Sequence, residues 1–599
     1  MLSSPHSFHI PVMGTGFTLD TPLRVARYGI TSVISLVDDV IIEQARKYHS
    51  RQHQLPFTAI KASAPDARAR RITAYLDLVD ELVARQVRQL RQAPFDAGSD
   101  ICRYFELLPP SPLRDAYLQM QTVTDTRELQ SLQAELRRHI VPGRIDVNIM
   151  TKLDMDRYRN GAKLPAEFAD AMAALRGFAK STLRSAMVFS AGINQRLYTY
   201  AACFDDFFPC DTAGPVKSII LKVSDYRSAL VQGKFLAKRG LWISEFRIES
   251  GLNCGGHAFA ADCNLMGPVL ELFKQNRQEL TECLFRIYAK ALAGMGRHAP
   301  TEPPPIRVTV QGGIGTAEEN NMLLQYYQVD GTGWGTPFMV VPEVTNVDSV
   351  HLERLCNANK EDIYLSDASP LGVPFWNLRT SASERQRQRR IATGRPGSDC
   401  PKGYARINSE FTDKPICTAS REYVALKLSH LPEEELSEAA QAMVREAVLA
   451  KACICHDLGG SVSLSRNGHK AVAPAVCCGP NIRNFRRTFS LDEMVNHIYG
   501  RLCVMVNHER SHMFLEEMRL NKEYLCVEIK RFTHQISNRP WSYFESFKKS
   551  LLEGTDYYQD LACRFFKEKQ EKFLQELQKL RDEIERITPV AVPVPEPAH

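Results

Sequence analysis

The stretch Ile306-Arg307-Val308-Thr309-Val310-Gln311-Gly312-Gly313-Ile314-Gly315 decides the fold. It is an apolar, β-branched run of strand type that passes directly into glycines. About twenty residues further on comes a second glycine stretch, Gly331-Thr332-Gly333-Trp334-Gly335-Thr336. Glycine lets the backbone take positive φ and approach an anion, so successive N–H groups, and the first turn of a following helix, can point at phosphate oxygens. A strand ending in Gly-Gly-Ile-Gly, a short helix from Ala317 to Tyr327 and a second Gly-Thr element match the way a (β/α)₈ barrel builds a phosphate site from its last two strand–loop units.

The rest of the first 380 residues fits the same α/β barrel. The opening His9-Ile10-Pro11-Val12-Met13-Gly14-Thr15-Gly16 reads as strand and glycine loop, followed by a helix from Pro22 to Tyr28 and a strand through Ile30–Leu36. From about residue 40 to 140 the pattern is helical, with Ile72, Tyr75, Leu76, Val79, Leu82 and Val83 at three- and four-residue spacing, which predicts a helical insertion. Strands are then expected at Ile145–Met150, Ala186–Ser190, Ser218–Val223, Trp242–Ile248, Val308–Val310 and Phe338–Val341. A boundary is expected near Thr380 to Gly397. Beyond it the sequence predicts a cysteine-containing α+β accessory region over 381–555, then a long charged helix from about Asp556 to Ile587 and a Pro-rich tail, together 556–599.

Composition narrows the class. The 599 residues, 44% hydrophobic, are enough for a large core and more than one domain. No apolar run is long enough to span a bilayer, and the first residues carry no basic-then-apolar leader pattern, so a cytoplasmic protein without a membrane partner is expected. A formal charge of +6 does not by itself demand nucleic acid or membrane. The basic clusters Arg385–Arg390 and Arg483–Arg487 read first as solvated surfaces and second as anion-recognition patches.

Two groups of residues carry chemistry. Cys254-Gly255-Gly256-His257 follows the strand Trp242–Ile248, on the face where barrel active sites are built. A histidine there can move a proton near neutral pH, and its glycines admit a flat ring; taken alone it reads as a hydrogen-bonded loop residue, and beside a phosphate cup as a functional one. In the second region Cys453, Cys455, Cys477 and Cys478 offer thiolates for zinc or an iron–sulfur cluster, although their spacing matches no standard site and buried core thiols are the plainer reading.

Met13-Gly14, Asn148, Lys222, Gly255-Gly256-His257, Gly312-Gly313-Ile314-Gly315 and Gly335-Thr336-Pro337-Phe338 occur in the order found in the nitronate monooxygenase (2-nitropropane dioxygenase-like) family, which the chain resembles over roughly residues 8 to 350 less the insertion. That group includes FMN-dependent enoyl-acyl-carrier-protein reductases. The resemblance implies non-covalent FMN in the barrel mouth, its phosphate on Gly312, Gly313, Gly335 and Thr336, with Gly315 also among the cofactor-binding residues. It also implies Met13, Gly14, Asn148, Lys222, Gly255 and Gly256 around the flavin, and His257 as base or substrate anchor. Where the family has a small-residue loop after the first helix, this chain has Tyr28-Gly29-Ile30-Thr31-Ser32. The expected activity is oxidoreductase chemistry of the nitronate monooxygenase class on a small molecule. The alternatives are reduction of a carbon–carbon double bond on a carrier-bound acyl chain or an RNA base, and a flavin- or metal-binding scaffold without turnover. A nicotinamide donor and a homo-oligomer are the other expected partners.

Overall fold

In a computed structural model of the chain, residues 4–190, 192–209, 214–253, 264–399, 402–465, 472–507, 509–565 and 570–587 are described. Eight parallel strands close into a barrel: β1 Phe8–Ile10, β2 Thr31–Ser35, β3 Ile145–Met150, β4 Ala186–Ser190, β5 Ser218–Val223, β6 Ile243–Glu249, β7 Arg307–Gln311 and β8 Gly331–Gly333. Strands neighbour one another in chain order, and β8 pairs with both β7 and β1. Helices follow the strands, among them Asp170–Ala179 after β3, Tyr226–Ala237 after β5, Met266–Gly294 after β6 and Ala317–Gln325 after β7. The predicted (β/α)₈ class therefore holds.

The eighth strand differs from expectation. Phe338–Val341 was the expected strand on the strength of its apolar run, yet Thr336–Val340 is a 3₁₀ helix and the glycine stretch Gly331–Gly333 supplies the strand. A short apolar run reports burial, and all of Thr336–Val340 is buried, without specifying backbone conformation. Glycine suits the closing position because its neighbours crowd it. A Cβ on Gly333 would lie 2.6 Å from Gln311 Cβ and 2.9 Å from His9 Nε2, and one on Gly331 would lie 3.0 Å from the Ser7 carbonyl oxygen.

The barrel interior is divided. Val12, Val33, Ala186, Val188 and Ile220 form an apolar cluster of their own. Toward the strand N-termini the space is filled by charge: Arg247 Nε and Nη2 donate to Glu245 Oε1 at 2.8 and 2.6 Å, Thr309 Oγ1 donates to the same oxygen at 2.6 Å, and Arg144 and Arg307 each lie 3.5 Å from Glu245 Oε2. Arg247 also faces Asp146, 3.9 Å away on β3. These guanidinium groups hold the Glu245 carboxyl far below the usual carboxylate range against the opposing effect of burial.

The helices between β2 and β3 pack on the outer wall: Ala67–Gln92 presents Ile72, Tyr75, Leu76, Val79 and Val83 to the core and lies against Asp170–Ala179. Residues after 380 contribute to the same apolar core as the barrel, from Val462 through Phe514 to Ile584. The charged C-terminal segment is two helices, Trp541–Phe565 and Gln570–Glu585, packed against each other, with Lys548 Nζ donating to the Ile587 carbonyl at 2.9 Å. Periodicity continues across such a pair, so one long helix was the expectation. Among the described residues no helix is long and apolar enough to cross a membrane.

Replacing Arg247 by Met removes the closest cation from a buried carboxylate and leaves Arg144 and Arg307 at longer range. The expected cost is about 3 kcal/mol of unfolding free energy, read from urea denaturation at neutral pH; a change below about 1 kcal/mol would show that the pair is dispensable.

Candidate functional site

The two glycine loops start side by side. Gln311 and Gly333 are paired residues on β7 and β8, so Gly312-Gly313 and Trp334-Gly335-Thr336 leave neighbouring strands at the C-terminal rim. Gly312 and Gly313 take φ of 110° and 81°, values that favour glycine. Among the described residues no group accepts a hydrogen bond from the N–H of Gly312, Gly313, Gly335 or Thr336. Buried backbone donors are normally paired, so these four N–H groups stand out from the rest of the barrel rim.

Gly315 is used differently. Its N–H donates to Glu319 Oε2 at 2.7 Å, the Thr316 N–H donates to the same oxygen at 3.2 Å, and Thr316 and Glu319 complete a capping box at the start of Ala317–Gln325. The Gly315 carbonyl faces His497 Nε2 at 2.9 Å. Behind the loop Arg510 donates to the Gly313 carbonyl at 2.6 Å, to Glu319 at 2.5 Å and to Asn481 at 3.0 Å, while Asn481 Nδ2 donates to the Ile314 carbonyl at 3.1 Å. The Gly315 N–H is thus used within the protein, and a carboxylate sits at the helix start where a ligand anion was expected. The spacing Thr316-x-x-Glu319 announces this in the sequence; the contribution of Asn481 and Arg510 from more than 160 residues away does not.

Asn148 and Lys222 occupy β3 and β5 in the same mouth. Asn148 Nδ2 donates to Ser190 Oγ at 3.2 Å, and its Oδ1 is buried with no partner among the described residues. The Lys222 ammonium lies 2.7 Å from Glu249 Oε1, which also accepts from Gln311 Nε2 at 2.7 Å and from Asn253 Nδ2. Lys222 is thus neutralised by Glu249 rather than offered as a bare cation. Gln311 Oε1 in turn faces His9 Nε2 at 3.3 Å, and burial holds that imidazole well below its usual range, hence neutral.

The Met13–Gly16 loop after β1 is covered by the chain itself. Met13 is fully buried with its N–H on Thr18 Oγ1 at 3.3 Å, and a Cβ on Gly14 or Gly16 would lie 3.4 Å from Leu458 Cδ2 or 2.8 Å from Val462 Cγ2. Cys254, Gly255, Gly256 and His257 lie outside the described residues. The residues flanking them are held by the C-terminal region. Glu517, 2% exposed, accepts from Ser250 Oγ at 2.5 Å and from the Met266 N–H at 2.7 Å, and Trp376 Nε1 donates to the Gly251 carbonyl at 2.8 Å. Trp376 belongs to a two-stranded hairpin, Ile363–Ser366 with Phe375–Leu378.

Cys453, Cys477 and Cys478 are buried and Cys455 is half-buried. Cys477 packs with Ala368, Phe375 and Ile454, Cys478 belongs to the main core, and Cys455 packs against the cluster of Tyr404 and Cys417, while Cys453 is buried beside Ile454. Among the described residues no three or more His, Cys, Asp or Glu side chains are placed to hold a metal ion, and the zinc or iron–sulfur expectation on Cys453, Cys455, Cys477 and Cys478 is not carried forward.

No protein-family model and no curated sequence matches the chain. Among solved structures it is similar to a FabK mutant from Thermotoga maritima, with 12% identity over 66% of this chain and 84% of that one and a TM-score of 0.28. It is also similar to the enoyl reductase domain of MlnA from the macrolactin cluster of Bacillus amyloliquefaciens, with 14% identity over 69% and 93% and a TM-score of 0.33. A third is nitroalkane oxidase from Streptomyces ansochromogenes, with 9% identity over 83% and 95% and a TM-score of 0.34. Likenesses this low leave function to the chain's own residues.

Burial pushes the Glu517 carboxyl up to about 7, the bonds from Ser250 and Met266 opposing the shift. A raised carboxyl pKa means that the folded state binds the extra proton between the unfolded value near 4.5 and about 7, so this residue's contribution falls as pH rises through that window and is level above it. Wild type should lose on the order of 3 kcal/mol from this group between pH 4.5 and 7. Glu517→Gln should flatten that slope in denaturant titrations at several pH values, and an unchanged slope would remove Glu517 as its source.

Proposed function

We propose that the chain is a flavin-dependent oxidoreductase that binds FMN at the C-terminal mouth of its barrel. One observation carries the reading: two glycine loops leave paired residues of β7 and β8, and the amides of Gly312, Gly313, Gly335 and Thr336 have no acceptor among the described residues. The donor set suits a phosphate, being neutral N–H groups with two glycines at positive φ. The unpartnered, buried Oδ1 of Asn148 gives a second polar atom in the mouth for a ring N–H.

Bound there, FMN would supply the electron-transfer chemistry that no side chain has. The chain's part is to bind and orient. Gly312, Gly313, Gly335 and Thr336 would hold the phosphate. Asn148 would accept a hydrogen bond, and Lys222, held on Glu249, would present a donor without a net charge. His257, with Gly255 and Gly256, is the residue we assign to the substrate proton, either as base or as anchor. Nitronate oxidation is the first activity to test and reduction of a conjugated double bond with a nicotinamide donor the second, since the same histidine would serve either.

Protein purified under gentle conditions should be yellow and release FMN on heat denaturation. Gly313→Ala must force φ of 81° on an L-residue and place Cβ 2.7 Å from Leu252 Cδ1, so FMN affinity should fall by about tenfold or more. Colourless protein that takes up no added FMN in fluorescence titration would defeat the assignment. With flavin bound, oxygen uptake on a nitronate or nicotinamide consumption with an enoyl compound separates the two activities. His257→Asn should lower kcat at least tenfold while leaving FMN stoichiometry intact.

A further inference from the structure

Beside the glycine loops lies a cavity of about 420 Å³, within the usual range of small-ligand sites. One wall is a face of the Met513–Thr533 helix: Glu516, Arg519, Leu520, Glu523, Tyr524 and Val527 recur at three- and four-residue spacing, continuing to Glu528 and Arg531. The opposite wall is the Ile363–Leu378 hairpin with Trp376, and the inner end is closed by Leu252. Leu252 also packs on Gly313, so the groove begins where the glycine loop ends. From Glu516 to Arg531 the helix face runs about 22 Å at 1.5 Å per residue.

The groove is polarised along that length. At the inner end Arg483 and Arg519 both turn to one carboxylate, Glu516, at 3.3 and 2.8 Å, and Arg519 has a further carboxylate, Glu576, at 3.7 Å. Lys360, exposed, lines the same cavity, and its neighbour Asn359 accepts from Arg486 at 3.0 Å. A guanidinium carries five N–H donors, so Arg483 and Arg519 keep most of theirs uncommitted. Among the lining residues the balance reverses at the outer end, with Arg531 set between Asp367 at 2.5 Å and Glu528 at 2.9 Å and Glu523 exposed on the helix between the ends, while Arg539, outside the lining, lies 3.9 Å from Glu528. Apart from Glu523, the lining between the two ends is apolar and aromatic, from Leu520, Tyr524, Val527 and Trp376, and Val527 is 49% exposed. The Trp376 indole is fixed by its bond to Gly251.

We propose that this groove binds a chain-like monocarboxylate, its head on Arg483 and Arg519 and its apolar body along Leu520, Tyr524, Val527 and Trp376. A multiply charged anion would meet Glu516, Glu523 and Glu528 along the way, and a cation would meet the inner arginines. The inference rests on the proposed function only in making this ligand the substrate class; the binding site itself stands on the cavity.

The test is calorimetric titration of the purified full-length protein, with whatever flavin it carries, using decanoate, decanol and decyltrimethylammonium. Decanoate should bind with saturation, decanol about tenfold or more weakly, the difference one charged hydrogen bond provides, and the cation not at all. An Arg483→Gln, Arg519→Gln double variant should reduce decanoate binding to the decanol level and leave decanol unchanged. Val527→Asp, at an exposed position that tolerates charge, should weaken both. Equal affinity for decanoate and decanol, unchanged decanoate binding in either variant, or no saturable binding would overturn the proposal. Because heat is read independently of colour, colourless protein that still binds decanoate would defeat the flavin reading alone, and yellow protein that binds none would defeat the groove alone.

Discussion

Closure of the barrel by a three-residue Gly-Thr-Gly strand is the constraint on which the rest depends. Side chains alternate along a strand, so Gly331 and Gly333 share one face and Thr332 takes the other. On the glycine face there is no room for a Cβ against Gln311, His9 and the Ser7 carbonyl. On the other face Thr332 Oγ1 donates to Asn320 Oδ1 at 2.7 Å, tying the strand to the helix that follows β7. A strand thin enough to pair with β1 and β7 at once lets the sheet close and leaves the next residues, Trp334 to Thr336, on the rim beside Gly312 and Gly313.

What closes around that rim is supplied from far away in the chain. Arg510 bridges the Gly313 carbonyl, Glu319 and Asn481; Glu517 joins Ser250 to Met266; Leu458 and Val462 cover the loop after β1. The first two of these bury polar or charged groups with their partners, the condition for such groups to be tolerated inside a protein. The region after residue 380 is thus part of the mouth, and its apolar residues join the barrel's own core.

Legibility in the sequence followed the strength of local signals. Strands such as Ser218–Val223 and Ala186–Ser190 were readable because they are short, apolar and bounded by turn residues. The eighth strand was not, because its glycines carry the signal of a turn and the apolar run nearby carries that of a strand, and packing reversed both. At the candidate site, the glycine loops and Asn148 could be singled out from the sequence by type and order. The neutralisation of Lys222 by Glu249, and the use of the Gly315 amide by Glu319, depend on which side chains meet, and for Lys222 that meeting is set by β5 lying next to β6.

By itself the sequence determined the parallel-strand, helix-following pattern and the two glycine-rich turns, because periodicity and the backbone freedom of glycine act over a few residues. Only the tertiary structure decided which glycine amides stay without an acceptor among the described residues, and that a polarised groove runs from Leu252 to Arg531. Those properties arise where elements hundreds of residues apart are pressed together, and a hydrogen bond or ion pair is set by a distance of about 3 Å that no local spacing encodes.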